Sequence, residues 1–163
     1  MIMTEPLLTP AKLWKRMTAA QRLKASQAFW LDEQATDDQI QAVLLIARQR
    51  KFRPKSVLNL DVDRKTKHLA TLPSIPDSVA ARTLIVYHLA EQRPLMGAFL
   101  DALGIAHENG LIQDDEVKPA SDKLAAAVAH VTERFPQEDV SLYLQTLLSQ
   151  DPGTWGGLAE LVP

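Results

Sequence analysis

The residues best suited to acid–base or metal chemistry surround a histidine in the second half of the chain. His107 and Glu108 lie in a predicted loop, Asp101 lies in the helix before it, and the acidic run 114–116 follows. An imidazole beside carboxylates can bind a divalent cation or act as a general acid or base. Adjacent side chains seldom point towards one centre, so an acidic surface loop also explains these residues. A small enzyme or metal binder around His107 is therefore the third of three functional hypotheses.

The rest of the sequence offers less to catalysis. No two of the four histidines have the i, i+4 spacing of a helical metal site. The sequence has no cysteine, which excludes disulfides, thiolate nucleophiles and Cys-ligated metals. It also has no Gly-x-Ser-x-Gly nucleophile elbow and no phosphate-binding glycine loop. We therefore predict no metal site and no cofactor, and we favour a non-catalytic function over an enzyme.

The strongest compositional feature is a basic run between positions 48 and 68, with eight Lys or Arg against two Asp. Such a density of cations can neutralise phosphates and release counterions from a nucleic acid. In a helix-turn-helix interpretation, residues 62–71 would enter a DNA groove. The candidate residues for binding nucleic acid or another anion are Arg48, Arg50, Lys51, Arg53, Lys55, Arg64, Lys65 and Lys67.

A solvated helix end explains part of this run as well. Cations in the last turn of a helix complement its macrodipole, and the overall pI of about 6.1 is far below that of a dedicated nucleic-acid domain. Charge is nevertheless uneven along the chain: residues 1–70 carry 13 Lys or Arg and 7 Asp or Glu, whereas residues 71–163 carry 5 and 13. This asymmetry indicates either an anionic partner for the first half or electrostatic docking between the halves.

The elements that must position these residues are predicted to be helices. Thr18 with Gln21 and Thr36 with Gln39 have the spacing of a capping box. Apolar residues recur at helical spacing through most of the chain. The predicted helices lie near 10–17, 19–33, 37–52, 56–60, 62–71, 78–91, 94–104, 122–134 and 138–149.

Two segments refine this all-α prediction. The helix near 78–91 is apolar on nearly all sides, which is typical of a helix surrounded by others, and we expect its His88 to be buried and hydrogen-bonded. Leu58, Leu60 and Val62 alternate with polar residues, as in a half-buried strand. A strand needs a partner, so two short helices explain these residues better. The predicted fold is a single irregular multi-helix bundle with a buried central helix near 78–91.

The chain length of 163 residues is that of one ordinary domain. We expect one helical domain over 1–163, in which 1–8 could be mobile and 151–163 is a tail docked through Trp155. The aromatic residues Trp14, Phe29 and Trp30 are expected in the core, with an exposed anchor as the alternative. The start of the sequence lacks the features of a secretory signal, and no apolar run approaches a membrane span. We therefore expect a cytoplasmic protein with no membrane partner.

These observations favour one functional hypothesis over two others. The favoured function is a non-catalytic interaction or regulatory module that binds another protein through a groove or a charged face. The alternative is a nucleic-acid-binding protein that uses the basic run 48–68. We expect a monomer or a weak homo-oligomer.

Overall fold

The computed structural model describes residues 8–113 and 116–163. The expectation of mobility at 1–8 falls largely on 1–7, which lie outside the described residues, as do Asp114 and Asp115. Within the described ranges the elements are ten α-helices, one two-stranded hairpin and one 3₁₀ turn, so the all-α prediction is confirmed. In chain order they are α1 (Pro10–Arg16), α2 (Ala19–Leu31), α3 (Thr36–Arg50), α4 (Pro54–Leu58), α5 (Val62–Ala70), α6 (Asp77–Glu91), α7 (Arg93–Leu103), β1 (His107–Glu108), β2 (Leu111–Ile112), α8 (Ser121–Arg134), α9 (Gln137–Gln150), α10 (Pro152–Trp155) and the 3₁₀ turn Gly156–Leu158.

The described residues form two compact units. The first, Pro10–Glu91, carries 14 Lys or Arg and 8 Asp or Glu, and we call it the basic unit. The second contains residues 8, 9 and 92–163; the stretch 92–163 carries 4 Lys or Arg and 11 Asp or Glu, and we call this the acidic unit. The charge asymmetry of the sequence therefore follows the boundary between the units. One domain over 1–163 stays a prediction.

The core of the basic unit is built around α6, which packs against α1, α2 and α3. Its buried side chains include Leu84 and His88, and the His88 Nδ1 lies 2.8 Å from the Leu84 carbonyl oxygen. The predicted central helix is therefore confirmed. Trp14 and Phe29 are fully buried and Trp30 is 9% exposed, so the core interpretation of these aromatics is correct and the exposed anchor is wrong.

Helix starts follow the sequence signals only in part. Thr18 and Gln21 form the predicted capping box, with bonds of 2.9 and 3.0 Å to each other's backbone N–H groups. The second predicted box is wrong, because Ala35 occupies the N-cap position of α3. The Gln39 amide instead donates to carbonyls at the end of α2, including that of Phe29 at 2.9 Å. Carbonyls at a helix C terminus lack partners within the helix, which explains this alternative use of the glutamine.

Two helix boundaries lie at residues with special backbone conformations, Pro54 and Gly104. The segment with alternating Leu58, Leu60 and Val62 forms parts of α4 and α5 and no strand, so the helical interpretation is correct. α4 begins at Pro54, and α7 ends before Gly104, which adopts the left-handed conformation with a φ of 71°. Both positions are those at which proline and glycine are favoured in helices.

The acidic unit contains the one short hairpin of the described residues. β1 pairs antiparallel with β2, and Asn109 and Gly110 between them both have positive φ values. An Asn-Gly pair is a strong signal for such a two-residue turn. Elsewhere in this unit α7 packs on α8, and α9 packs on α10. Trp155 is 3% exposed, and its ring centre lies 6.0 Å from that of Phe99.

Candidate functional site

His107, the predicted centre of any acid–base chemistry, fastens the hairpin to α7. Its Nε2 lies 2.7 Å from the Asp101 carboxylate, and its Nδ1 lies 3.0 Å from the Gly110 backbone N–H, which donates to it. Since Nδ1 accepts, Nε2 carries the proton that is donated to Asp101. Both ring nitrogens are therefore engaged in holding the turn, which assigns this imidazole a structural role in the present arrangement.

Glu108, the third candidate for acid–base chemistry, is not part of the His107–Asp101 pair. Glu108 is exposed, and no ion pair links it to His107 within 8–113 and 116–163. Successive residues of a strand point to opposite faces, which separates the two side chains. In the same ranges no group of three or more His, Asp or Glu is placed to hold a metal ion. The acidic residues Asp114 and Asp115 of the predicted loop lie outside these ranges.

The structure distributes the basic run over α3, α4, α5 and the turns between them. Arg48 and Arg50 are two residues apart in the last turn of α3, which separates them by about 200° around the helix. The Arg50 guanidinium lies 2.6 Å from the Thr71 hydroxyl. Arg48 is exposed on the opposite side of α3, near Leu44 in the helical register. The two arginines therefore do not belong to one face.

Some of the remaining cations have local roles. The Lys65 ammonium lies 5.4 Å from the centre of the Trp30 ring, within the range of a cation–π interaction. Lys67 pairs with Asp63 at 3.4 Å in an exposed i, i+4 arrangement. Such exposed pairs contribute only about 0.3–0.5 kcal/mol. The others are exposed: Lys51, Arg53, Lys55 and Arg64.

Arg50 belongs to a corner where the ends of α3 and α5 meet. The rings of Phe52 and His68 form an edge-to-face contact, with 5.6 Å between their centres. Desolvation and, to a lesser extent, the nearby Arg50 charge hold the pKa of His68 below its usual value of 6.5. The Phe52 side chain is 47% exposed. An exposed aromatic ring thus lies beside His68, which in turn lies near the Arg50 cation.

A groove next to this corner unites residues that sequence analysis did not connect. It has a volume of about 520 Å³ and lies between the junction of α1 with α2 and the segment that follows α5. We call it the Lys15–Arg22 groove after the two cations that line it. Its lining residues are Lys15, Ala19, Arg22, Leu23, Ala70, Thr71, Leu72 and Pro73.

Hydrogen bonds fix both walls of the groove. The Trp14 indole N–H donates to the Leu72 carbonyl at 3.3 Å, which ties α1 to the segment after α5. The Arg22 guanidinium donates to the Met17 carbonyl at 2.8 Å, across the turn between α1 and α2. The capping box of α2 holds the same turn. The groove is therefore part of the folded framework of the basic unit.

The chemistry of the groove is apolar with a positive edge. Five of its eight lining residues are apolar, and Leu23 among them is 46% exposed. Its charged lining residues are Lys15 and Arg22, neither of which pairs with a carboxylate in the described part of the chain. Arg50 adds a third cation at the rim through its bond to Thr71. Such a surface can bury apolar groups of a ligand while it pairs with the ligand's negative charges.

A second groove of the basic unit serves as a comparison. It is lined by both the acidic Asp32 and the basic Arg82, so it lacks the charge bias of the first. Leu31 lines it, lies on α2 like Leu23 and is 61% exposed. Exposure of an apolar side chain on α2 is thus common to both grooves, and the uniform positive edge is the property that distinguishes the Lys15–Arg22 groove.

Sequence analysis missed this groove for a physical reason. Lys15 and Leu72 are more than 50 positions apart, and periodicity within one helix reports nothing about contacts over such separations. The sequence signals for this groove are Lys15 and Arg22 in the first two helices. Neither belongs to the dense basic run 48–68. Of the eight predicted anion-binding residues, Arg50 contacts the lining residue Thr71 through its guanidinium, and Lys67 accepts a hydrogen bond from the same Thr71 through its backbone carbonyl.

Comparison of the chain with models of protein families, with curated proteins and with solved structures finds no match. Among the described residues, no helix combines the length and the apolar character needed to cross a membrane.

Proposed function

We propose that this protein is a non-catalytic interaction module, and that the Lys15–Arg22 groove of its basic unit binds another protein. The observation that carries the proposal is the combination of apolar walls with an edge of cations that pair with no carboxylate among residues 8–113 and 116–163. A volume of about 520 Å³ lies within the range of about 300–1,000 Å³ that is typical of ligand sites. Because the sequence lacks cysteine, we place this function in the reducing environment of the cytoplasm.

The exposed apolar surface supports a macromolecular partner. Leu23 leaves nearly half of its side chain in contact with water, and burial of apolar area on binding contributes roughly 25 cal/mol per Å². Exposed cations steer an oppositely charged partner and select its orientation, but each contributes little affinity. Apolar contacts would therefore supply most of the affinity, and Lys15 and Arg22 most of the selectivity.

Site-specific photo-crosslinking in cells of the source organism tests the proposal. The photoreactive residue p-benzoylphenylalanine replaces Leu23 in the groove or, as a matched control on the same helix, Leu31 outside it. We expect a discrete protein adduct from position 23 that is absent from position 31. Equal adducts from both positions, or none from position 23, would contradict a protein interface in the groove.

One observation favours nucleic-acid binding as a second candidate function. The half-exposed Phe52 lies beside His68 and near Arg50, and an aromatic ring among cations can stack on an unpaired base. Binding of a fluorescent oligothymidine by the wild-type protein and by the variant Phe52→Ala tests it. Binding that needs Phe52 and weakens steeply with salt would support this candidate; weak binding that is indifferent to Phe52 would eliminate it.

A further inference from the structure

We propose that the partner presents an acidic amphipathic segment to the Lys15–Arg22 groove, with one or two large aliphatic side chains inserted and carboxylates paired with the cations. This inference rests on the proposed function and specifies the chemistry of the ligand. The positive edge excludes basic peptides as good ligands. The apolar walls exclude polyanions that carry no apolar groups.

The charges of the lining residues determine the sign of the ligand. Lys15 is exposed on α1, Arg22 is half-buried on α2, and both face the groove. Within the part of the chain that the structure describes, no acidic residue lines the groove and could receive a cation of the ligand. Arg50 adds a further cation next to the lining residue Thr71, to which its guanidinium donates. A ligand with carboxylates on either side of the inserted side chain therefore matches the groove, whereas a cationic ligand meets only like charge.

The apolar walls determine which uncharged groups the ligand needs. Ala19 is exposed in the groove, and the buried Ala70 and Leu72 line it with aliphatic groups. A phosphate placed against these groups would lose water without gaining a hydrogen-bond partner, which is unfavourable. Leu23 adds a half-exposed side chain at the opening. Helix-in-groove recognition uses apolar anchors at i and i+4, with charged residues beside them. An acidic helix with two such leucines satisfies both properties of the groove, which a nucleic acid does not.

Fluorescence anisotropy with defined probes tests this inference. The first probe is a labelled peptide of about 12 residues that is rich in Glu and carries two Leu at i, i+4 spacing. In the second the leucines are replaced by Ser, in the third the glutamates are replaced by Lys, and the fourth is an oligothymidine of about 12 nucleotides. We expect the first probe to bind at least about tenfold more tightly than each of the others.

Two variants with matched controls locate the binding in the groove. Lys15→Glu reverses a lining charge, and Arg16→Glu makes the same change one residue later, outside the lining. Leu23→Ser removes the exposed leucine of the groove, and Leu31→Ser removes one outside it. We expect both groove variants to weaken the first probe by about tenfold and both controls to leave its affinity unchanged. Circular dichroism of all four verifies the helical fold.

Each contrary result has a distinct meaning. If the Ser-substituted peptide binds as tightly as the first probe, charge alone is recognised and the inference is overturned. If oligothymidine binds more tightly, it is overturned in favour of a nucleic acid. If the first probe does not bind while position 23 still forms a protein adduct in cells, the groove binds a protein of other chemistry, so the proposed function survives and the inference does not.

Discussion

At the scale of single residues, three histidines make different interactions because their surroundings differ. His88 is held in the core of the basic unit, His107 is bound through both ring nitrogens, and His68 lies partly buried beside Arg50. None of these environments could be derived from the position of a histidine in the sequence alone, except that of His88, whose apolar helix indicated burial. The distinction matters for how the protein responds to pH.

The titration of His68 provides a prediction at this scale. Its pKa is lowered in the folded state, so between that lowered pKa and about pH 6.5 the unfolded chain binds more protons. Over this window the free energy of unfolding falls as the pH decreases. Arg50→Gln should raise the pKa of His68 but leave it below the ordinary value, because desolvation is the larger cause. Arg48→Gln, on the other side of α3, should leave it unchanged. Titration of the imidazole resonances by NMR measures all three; an equal response to both substitutions would contradict the contact with Arg50.

At the scale of elements, local signals succeeded where one residue restricts the backbone. Thr18 with Gln21, Pro54 and Gly104 each define a helix boundary through a cap, a fixed φ or a left-handed conformation. The sequence signal failed at Thr36, where the side chain of Gln39 found partners on another helix. Such competition depends on the packing of α2 against its neighbours, which capping patterns do not contain.

The two threonines therefore predict a contrast in stability. Thr18→Ala should lower the free energy of unfolding by about 1 kcal/mol, since it removes a bond to the first turn of α2. Thr36→Ala should lower it by no more than about 0.5 kcal/mol, because Thr36 makes no capping bond. Urea denaturation of both variants provides the comparison. A larger loss for Thr36→Ala would show that the cap of α3 has been assigned incorrectly.

Two glycines with positive φ, Gly104 after α7 and Gly110 in the hairpin turn, predict a second contrast in stability. Gly104→Ala introduces a side chain at a φ of 71°, where none of the described residues outside the local backbone comes within 4 Å of the new Cβ, and should cost about 1–2 kcal/mol. Gly110→Ala introduces one at a φ of 92°, only 2.9 Å from the Met96 Cβ, and should cost distinctly more because α7 must shift as well. Thermal denaturation ranks the two. An equal cost would indicate that the hairpin moves freely away from α7.

At the scale of the whole molecule, the sequence predicted charge separation, and the structure shows that it follows the two compact units. The all-α class could be predicted because helix periodicity is local. The groove could not, because it joins α1 and the start of α2 to the segment that follows α5, which is distant in the sequence. Net charges of opposite sign on different units also favour weak head-to-tail association between molecules.

Self-association should consequently depend on salt. The Debye length falls from about 10 Å at 0.1 M to about 3 Å at 1 M ionic strength, which screens contacts between exposed charges. We expect the protein to be monomeric at about 1 M salt, and any association at low salt to disappear on its addition. Light scattering coupled to size-exclusion chromatography measures the mass under both conditions. A dimer that persists at high salt would indicate an apolar interface instead.

The central claim is that the Lys15–Arg22 groove binds a protein partner through its positive edge together with its apolar walls, and the ratio of two crosslinking yields tests this claim most directly. Photo-crosslinking from position 23 is compared in cells between the Lys15→Glu and Arg16→Glu backgrounds, which carry the same change of net charge on neighbouring exposed residues of α1. If the groove binds the partner, the yield of the adduct falls by about tenfold with Lys15→Glu and stays at the wild-type level with Arg16→Glu. Equal yields in the two backgrounds would contradict the claim.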